Sequence, residues 1–209
     1  MKTSAVILAG GQGRRMGGVN KALLTWGQET FLERLLQECR AWTDDIVIVG
    51  STNESAGILK ESLPDVRIVS DLYPGEGPMA GLHAGLSAVS GDIAWVLACD
   101  QPLASREAAA LLLDRLSREP EAMAALPVLS GRPQPLHAVY RKDVARLADT
   151  LLQQGERRLS SLLSRVPWIP VEPATFLRNG IQPIFADDVD TPEDYARLET
   201  KAKRGEDLP

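Results

Sequence analysis

The chain has 209 residues, 44% of them hydrophobic and 24% charged, with a formal net charge of -5 at pH 7. This length and composition predict one globular domain that can build its own core. The acidic balance argues against a general nucleic-acid binder, since such proteins need an excess of Lys and Arg to contact phosphates. No apolar run reaches the roughly 18 residues that a membrane span requires. We therefore expect a cytoplasmic protein with neither a membrane nor a nucleic acid as partner.

Short β-branched segments alternate with helical patterns in the first half of the chain. Thr30 followed by Glu33 forms a capping box that predicts the start of the first helix, and Pro78 and Ser105 begin two further helical patterns. Most predicted strands are apolar on consecutive positions, which is typical of parallel strands covered on both faces; they are 5–8, 46–49, 66–69 and 93–97. The alternation predicts an α/β fold in three layers with a mostly parallel central sheet.

Prolines divide the second half of the chain into shorter pieces. Residues 122–126 and 138–140 are predicted as strands and 142–152 as a helix, with insertions and loops that cover one side of the sheet. Residues 191–194 have the features of a helix start, with a hydroxyl N-cap, proline at the first helical position and acids in the first turn. We expect this last helix to be followed by a frayed tail over residues 201–209.

The segment that follows the first strand is rich in glycine and in positive charge. Glycines let the backbone turn tightly and let its N–H groups approach an anion. Arginine supplies forked donors that suit phosphate oxygens. Glycine stands at positions 10, 11, 13, 17 and 18, and the cations are Arg14, Arg15 and Lys21. Because α/β folds bind nucleotides at the carboxyl ends of their strands, this loop predicts a nucleotide phosphate site.

Two commoner glycine-rich patterns do not fit this loop. The dinucleotide fingerprint G-x-G-x-x-G places its third glycine where Met16 stands, and it also needs an acid after the second strand, where the chain has Gly-Ser-Thr at 50–52. The Walker pattern needs Gly-Lys-Ser/Thr, but Gly18 is followed by Val-Asn. A dehydrogenase is thereby disfavoured, and a surface turn with incidental arginines stays as the structural alternative.

An aspartate stands at the end of the fourth predicted strand. Asp100, in a Cys-Asp-Gln-Pro segment, is expected to point into the same crevice as the glycine-rich loop. One carboxylate together with substrate phosphates is a typical Mg²⁺ site, although a turn-capping role is the alternative. Asp71 follows the third strand at the same edge, and Asp188 and Asp190 are candidates for further metal ligands.

Together these residues resemble a known family. The resemblance to nucleotidyltransferases of the molybdenum cofactor guanylyltransferase group rests on Leu8-Ala9-Gly10-Gly11, the following Gly13-Arg14-Arg15-Met16-Gly17-Gly18 and Lys21. Residues 77–81 and 155–158 and the Cys-Asp-x-Pro segment also look like that family. The resemblance implies a Rossmann-like (GT-A-like) nucleotidyltransferase that transfers GMP from GTP to the terminal phosphate of molybdopterin, with Mg²⁺ as cofactor and pyrophosphate as product.

The resemblance also implies roles for single residues. The metal ligand is Asp100, and the expected nucleotide contacts are Leu8, Ala9, Gly10, Gly11, Lys21, Asp71, Gly77, Gly81 and Asp100. Arg15 and Lys21 are expected to hold the triphosphate and to stabilise the departing pyrophosphate, so these two and Asp100 form the predicted catalytic set. The attacking phosphate is already ionised and needs no general base, so His83 and His137 are expected to be structural.

The two halves of the chain are expected to bind different substrates. Residues 1–103 would bind the nucleotide and residues 104–200 the acceptor, with Gln134, Arg157 and Arg158 as candidate acceptor contacts. For the two arginines, a solvated basic helix start is the alternative. Relatives often have Asn after the second strand, where this chain has Gly50, so that role is not transferred.

Several related functions stay open at the level of sequence. The nearest is a sister reaction with CTP as donor or a sugar phosphate as acceptor; Gly10-Gly11 favours guanine by resemblance, since cytidylyl relatives more often have Ala-Gly. A non-catalytic GTP-binding adaptor is disfavoured by the complete loop and by Asp100. For the guanylyltransferase, transient contacts with cofactor-biosynthesis proteins or with a molybdoenzyme chaperone are expected.

Overall fold

One central sheet joins the strands predicted in the first half of the chain to strands from the second half. The computed structural model describes residues 1–10 and 21–203. Its strands are β1 (Thr3–Leu8), β2 (Thr25–Trp26), β3 (Glu29–Thr30), β4 (Ile46–Gly50), β5 (Arg67–Ser70), β6 (Ile93–Ala98), β7 (Ala124–Leu129), β8 (Arg132–Pro133), β9 (His137–Arg141) and β10 (Trp168–Val171).

The order of the strands places β1 and β6 near the middle of the sheet. The order is β10-β7-β9-β6-β1-β4-β5, with β8 paired to β7, while β2 and β3 form a separate hairpin. Strands β1, β4, β5 and β6 are parallel. Strand β9 is antiparallel to both of its neighbours, β6 and β7, and β10 is parallel to β7. The predicted mostly parallel sheet is confirmed.

Helices cover both faces of the sheet and so complete the three layers. They are α1 (Phe31–Trp42), α2 (Asn53–Ser62), α3 (Pro78–Ala88), α4 (Arg106–Ser117), α5 (Val144–Gln153), α6 (Leu159–Leu163), α7 (Pro173–Arg178) and α8 (Pro192–Lys203), with a short 3-10 helix at Lys21–Leu23. Side chains of β1 alternate between the faces: Ile7 packs with α1, α2 and α4, and Val6 packs with α3, α5 and α6. No helix in the described part of the chain is long and apolar enough to cross a membrane.

Side-chain caps fix the helix starts that the sequence predicts. The backbone N–H of Glu33 donates to the Thr30 hydroxyl at 3.1 Å, and the Thr30 N–H donates to the Glu33 carboxylate at 2.7 Å. The hydroxyls of Ser105 and Thr191 likewise accept an N–H from their third following residues at 3.1 Å. Each cap satisfies a backbone donor that helix geometry leaves unpaired.

The second half of the chain differs from its prediction. Its strands do not form insertions and loops over one side of the sheet; β7, β9 and β10 extend the sheet itself beyond β6. The reason is that residues 137–141 pair antiparallel with β6, which gives β7, and through it β10, an edge to join. Helix α8 continues through Lys203, so residues 201–203 belong to a helix rather than to the predicted tail; residues 204–209 lie outside the described part of the chain.

Candidate active site

A cleft opens at the edge of the sheet where β1, β4, β5 and β6 end. Parallel neighbours place their carboxyl ends at one edge, which is where open α/β sheets bind ligands. The cleft has a volume of about 340 Å³, within the range of small-molecule sites. Its walls come from the strand ends, the loops that follow them and the first turn of α3; the lining residues are Leu8, Gly10, Val49, Ser51, Thr52, Asp71, Gly75, Gly77, Pro78, Gly81, Ala98, Cys99, Asp100 and Leu136.

The chain that leaves β1 lies directly against the turn after β4. The Ala9 N–H donates to the Val49 carbonyl at 2.9 Å, and the Cys99 N–H donates to the Leu8 carbonyl at 3.0 Å. A Cβ atom at Gly10 would lie 2.7 Å from the Cβ of Ser51, closer than non-bonded carbons approach. Glycine at this position therefore lets the start of the glycine-rich loop pass the β4 turn and form part of the cleft wall.

The first turn of α3 forms another wall of the cleft. Gly77 is the N-cap residue with φ 84°, in the left-handed region that favours glycine, and Pro78 follows at a position where its missing N–H costs nothing. A Cβ at Gly81 would lie 3.3 Å from the Leu8 side chain, so a side chain there would press on the first strand. The helix dipole at this N-terminus favours an oxygen-rich or anionic ligand group.

Asp71 places a buried carboxyl in the cleft wall. The residue is 7% exposed, and its Oδ1 accepts the Tyr73 N–H at 2.8 Å. Burial raises the pKa of Asp71 above its ordinary value, against the opposing influence of the Tyr73 N–H and of His83. A carboxyl in this setting is suited to accept a hydrogen bond from a ligand hydroxyl or amino group.

Lys21 joins two aspartates from distant parts of the chain. Its Nζ donates to Asp100 Oδ2 at 3.0 Å and to Asp190 Oδ1 at 2.5 Å, and its side chain is 8% exposed. Burial alone would lower the pKa of Lys21, but the contacts with Asp190 and Asp100 outweigh it and raise that pKa. Lys21 therefore carries a full positive charge at neutral pH, next to Asp100 of the cleft.

The segment before α8 docks onto the end of β6 and completes this acidic rim. The Val189 N–H donates to the Asp100 carbonyl at 2.8 Å, and the Gln101 amide donates to Asp188 Oδ1 at 3.0 Å. Crowding of its carboxyl by protein atoms and repulsion by Asp100 raise the pKa of Asp188 to about 6, although much of the residue is exposed to solvent. Asp188 and Asp190 thus lie on the same side of the cleft as Asp100.

The sequence has known relatives. A family model described as the MobA-like NTP transferase domain matches residues 5–167. The chain belongs to this family. Among the curated relatives of this MobA-like protein, a probable molybdenum cofactor guanylyltransferase from Bacillus mycoides is 33% identical over 166 residues, which cover 78% of this chain and 80% of the relative. The family resemblance read from the motifs and the nucleotidyltransferase class are confirmed.

Solved structures share the fold of this MobA-like chain. The molybdopterin-guanine dinucleotide biosynthesis protein A of Archaeoglobus fulgidus has a TM-score of 0.83 at 24% identity, covering 96% of this chain and 99% of that one. The 2-C-methyl-D-erythritol 4-phosphate cytidylyltransferase of Thermus thermophilus has a TM-score of 0.69 at 21% identity, covering 97% of this chain and 100% of that one. At these identities the likeness concerns the fold, which is that of nucleotidyltransferases.

The cleft brings together most of the residues that the sequence predicts as nucleotide contacts. Ala9 packs its side chain into the core on the opposite face of the sheet, and Lys21 contacts the cleft through Asp100. Gly11 and Arg15 lie outside the described residues. The predicted contacts that line the cleft are Leu8, Gly10, Asp71, Gly77, Gly81 and Asp100.

The candidate acceptor residues differ in their contacts. Arg157 donates to Glu76 at 2.9 Å, beside the cleft-lining glycines of the loop before α3. Arg158 is the N-cap residue of α6, and the Gln134 amide donates to the Arg132 carbonyl at 3.3 Å.

Both histidines, for which a structural role is expected, are buried. His137 is fully buried, and its Nε2 accepts the Ser105 N–H at 3.3 Å. Burial lowers its pKa to about 3, so it is neutral at physiological pH. His83 is buried on α3, with its Nε2 3.8 Å from an Asp149 carboxylate oxygen.

Sequence reasoning did not assign some of the cleft residues. Ser51 and Thr52 line the cleft, and their place at the end of a predicted parallel strand was a signal that could have found them. Leu136 also lines it, but it stands just before β9, whose antiparallel direction the sequence does not indicate.

Proposed function

We propose that this protein is a molybdenum cofactor guanylyltransferase, which transfers GMP from GTP to the terminal phosphate of molybdopterin and releases pyrophosphate. The observation that carries the proposal is the Lys21–Asp100 contact at the rim of the strand-end cleft. Phosphoryl transfer needs a charged group for the phosphates and a carboxylate for a metal ion, and little covalent chemistry from the protein. The name of the Bacillus mycoides relative supports guanine as the base and molybdopterin as the acceptor.

GTP is proposed to lie along the cleft with its phosphates toward the glycine-rich loop. The glycines of that loop are proposed to let backbone N–H groups approach the phosphates, and Lys21 and Arg15 are proposed to supply the positive charge. The nucleoside would lie against Asp71 and the first turn of α3, where a buried carboxyl can accept hydrogen bonds from a sugar hydroxyl or a base amino group.

Asp100 is proposed as the ligand of Mg²⁺, with Asp190 as a second carboxylate. Both carboxylates contact the Lys21 ammonium, so hard oxygen ligands already lie together at the cleft rim. Within residues 1–10 and 21–203 no group of three or more His, Cys, Asp and Glu forms a metal site made of protein alone. Mg²⁺ commonly uses one or two carboxylates together with substrate phosphates, and held by Asp100 and Asp190 it would polarise the phosphate under attack and neutralise charge.

The transfer step follows from the charges of these side chains. An oxygen of the ionised terminal phosphate of molybdopterin forms a bond to the α-phosphorus of GTP. The bond from the α-phosphorus to the bridging oxygen breaks, and its electron pair leaves with pyrophosphate. Lys21 and Arg15 stabilise the negative charge on the leaving group. No proton is transferred in this step, so the step needs no general base. The described lining residues of the cleft include no histidine.

The acceptor is proposed to approach from the half of the chain that begins after β6. Arg157, which donates to Glu76, is proposed to exchange that contact for the acceptor phosphate, and Arg158 and Gln134 are further candidates. Transient contacts with other cofactor-biosynthesis proteins or with a molybdoenzyme chaperone belong to the same proposal, because the product has to reach an apoenzyme.

A thermal-shift comparison of four nucleotides tests which of them is the donor substrate. With Mg²⁺ present, GTP at a hundredfold excess over its Kd should raise the Tm by roughly 5 to 10 °C, and ATP, CTP and UTP should have much smaller effects. A cytidylyltransferase of the same fold is the second candidate, since a cytidylyltransferase shares the fold with a TM-score of 0.69. Selective stabilisation by CTP would replace guanine by cytosine in the proposal.

Pyrophosphate release tests the reaction and its metal ligand. The wild type should release pyrophosphate from GTP only with both molybdopterin and Mg²⁺ present, and Asp100→Asn should lower this rate by at least about a hundredfold. Asp114→Asn is the matched control, because Asp114 forms an exposed ion pair with Arg118 on the surface of α4. A GTP-binding protein without release would be an adaptor, and undiminished release by Asp100→Asn would exclude Asp100 as the ligand.

A further inference from the structure

The loop between β5 and α3, residues 71–77, carries a large part of the cleft wall. Asp71, Gly75 and Gly77 all line the cleft. Gly75 and Gly77 have φ values of 82° and 84°, and glycine loses more conformational freedom on ordering than other residues. The loop therefore needs contacts from outside itself to hold Asp71 and the start of α3 in one arrangement.

Tyr73 supplies such a contact. Its backbone N–H donates to Asp71 Oδ1 at 2.8 Å, and its hydroxyl donates to Asp149 Oδ1 at 2.6 Å. Asp149 belongs to α5, in the half of the chain after β6, and its other oxygen accepts the Gln153 amide at 2.9 Å. One residue thus links the carboxyl group of the cleft to a helix of the second half.

The neighbours of this hydrogen bond hold it in place. His83 of α3 packs edge-on against the Tyr73 ring with 5.7 Å between the ring centres. Its Nε2 lies 3.8 Å from Asp149, which is too long for a hydrogen bond, so the Tyr73 hydroxyl is the direct partner on this oxygen. A second contact from the same loop, the ion pair between Glu76 and Arg157, is more exposed. Exposed ion pairs contribute little to the stability of a structure.

We propose that the hydrogen bond from Tyr73 to Asp149 positions the 71–77 loop for nucleotide binding. Tyr73 and Asp149 are positioning residues, because the described lining of the cleft includes neither of them; they act through Asp71 and the first turn of α3. The inference rests on the proposed function in one respect, that the cleft takes GTP. It adds that α5, in the acceptor-binding half, sets the affinity for the nucleotide.

Tyr73→Phe tests the inference, because it removes one oxygen and keeps the ring against His83. We expect the KM for GTP to rise about three- to tenfold, the range for loss of one hydrogen bond, with kcat at saturating GTP unchanged within twofold. Asp149→Ala should give the same rise, and the double variant should be no worse than either single variant. Asp149→Asn keeps an acceptor oxygen and should restore most of the wild-type KM.

A control variant separates positioning from general stability. The Thr43 hydroxyl donates a comparable hydrogen bond to the Thr3 carbonyl at 2.8 Å, at the end of β1 away from the cleft, so Thr43→Val should lower the Tm and leave the KM for GTP unchanged. An equal rise in KM in Thr43→Val, an unchanged KM in Tyr73→Phe, or additive effects of the Tyr73 and Asp149 changes would each overturn the inference.

Direct binding distinguishes this inference from the proposed function. GTP affinity is measured by calorimetry on the wild type and on Tyr73→Phe without the acceptor. If the wild type binds GTP and Tyr73→Phe binds it equally well, the positioning role alone is refuted. If the wild type binds CTP instead, the same Tyr73→Phe comparison is made with CTP, and a weaker affinity supports the inference while the guanylyl proposal fails.

Discussion

Lys21 is the side chain on which the charge balance of the candidate site depends. Its ammonium contacts Asp100 at 3.0 Å and Asp190 at 2.5 Å, and the exposed fractions of the three side chains are 8%, 23% and 41%. Lys21→Met removes the charge and keeps a long apolar stem of similar length. Two carboxylates would then lie near each other without a cation between them.

The cost of this change can be estimated from the burial of the three groups. Removing one partner of a fully buried ion pair costs about 3 to 5 kcal/mol, and an exposed pair contributes about 1 kcal/mol or less. Lys21 is buried but both carboxylates retain access to water, so we expect the free energy of unfolding to fall by about 2 kcal/mol. For activity, loss of one preorganised group that stabilises the leaving phosphate typically lowers kcat by about 10² to 10³.

Urea unfolding and pyrophosphate release measure the two effects separately. Lys21→Met with Asp190→Asn also removes one of the two carboxylate charges that Lys21 contacts in the wild type, and it should recover most of the lost stability without recovering activity. If Lys21→Met keeps kcat/KM within threefold of the wild type, Lys21 does not hold the triphosphate. If the double variant is as unstable as the single one, the contact with Asp190 is not the source of the loss.

Two further predictions concern the cleft wall and the core. Gly10→Ala should raise the KM for GTP by roughly tenfold, since the new Cβ would lie 2.7 Å from Ser51 and overpacking costs about 1 to 3 kcal/mol; Gly57→Ala, whose Cβ meets nothing within 4 Å, should leave it unchanged. Burial lowers the pKa of His137 to about 3, so below about pH 6.5 the unfolded chain takes up a proton at this residue and the folded chain does not. As the pH decreases from about 6.5 to 3, this residue therefore lowers the free energy of unfolding by about 1.4 kcal/mol for each pH unit. His137→Gln should remove that slope in urea unfolding measured across the same range, and parallel curves for the two proteins would contradict the assignment.

Local signals predict most strands of the first half, and in the second half they locate β7, β9, α5 and α8 but not how the strands pair. The β1, β4, β5 and β6 strands are short β-branched runs, and parallel pairing buries both of their faces. The direction of β9 depends on its pairing with β6, for example between Val139 and Trp95, and a contact so distant in sequence leaves no local pattern. Helix α2 was not predicted, although Thr52 caps it through the Ser55 N–H at 3.1 Å, because its residues show little helical periodicity of apolar side chains.

The residues of the candidate site also form two groups, those that the sequence predicts and those that it does not. Gly10, Asp71 and Asp100 can be found from the sequence because each follows a predicted strand, and the strand-end rule brings them to one cleft. The link from Tyr73 to Asp149 cannot be found in this way, since it joins a loop to a helix of the other half. Roles that depend on which strand ends meet are readable from the sequence; roles that depend on how helices pack over them are not.

The C-terminal segment contributes to the candidate site although it lies outside the matched family model. The family match ends at residue 167, yet Asp190, beyond that limit, makes the shorter of the two contacts with Lys21. This segment is held by the Val189 N–H on the Asp100 carbonyl and by the Tyr195 hydroxyl on the Thr25 carbonyl at 2.5 Å. The charge of Lys21 is therefore balanced from both sides, by the end of a central strand and by the chain that leads into α8. Any change that loosens α8 should alter the charge next to the proposed metal ligand even though no residue of the matched motifs is touched.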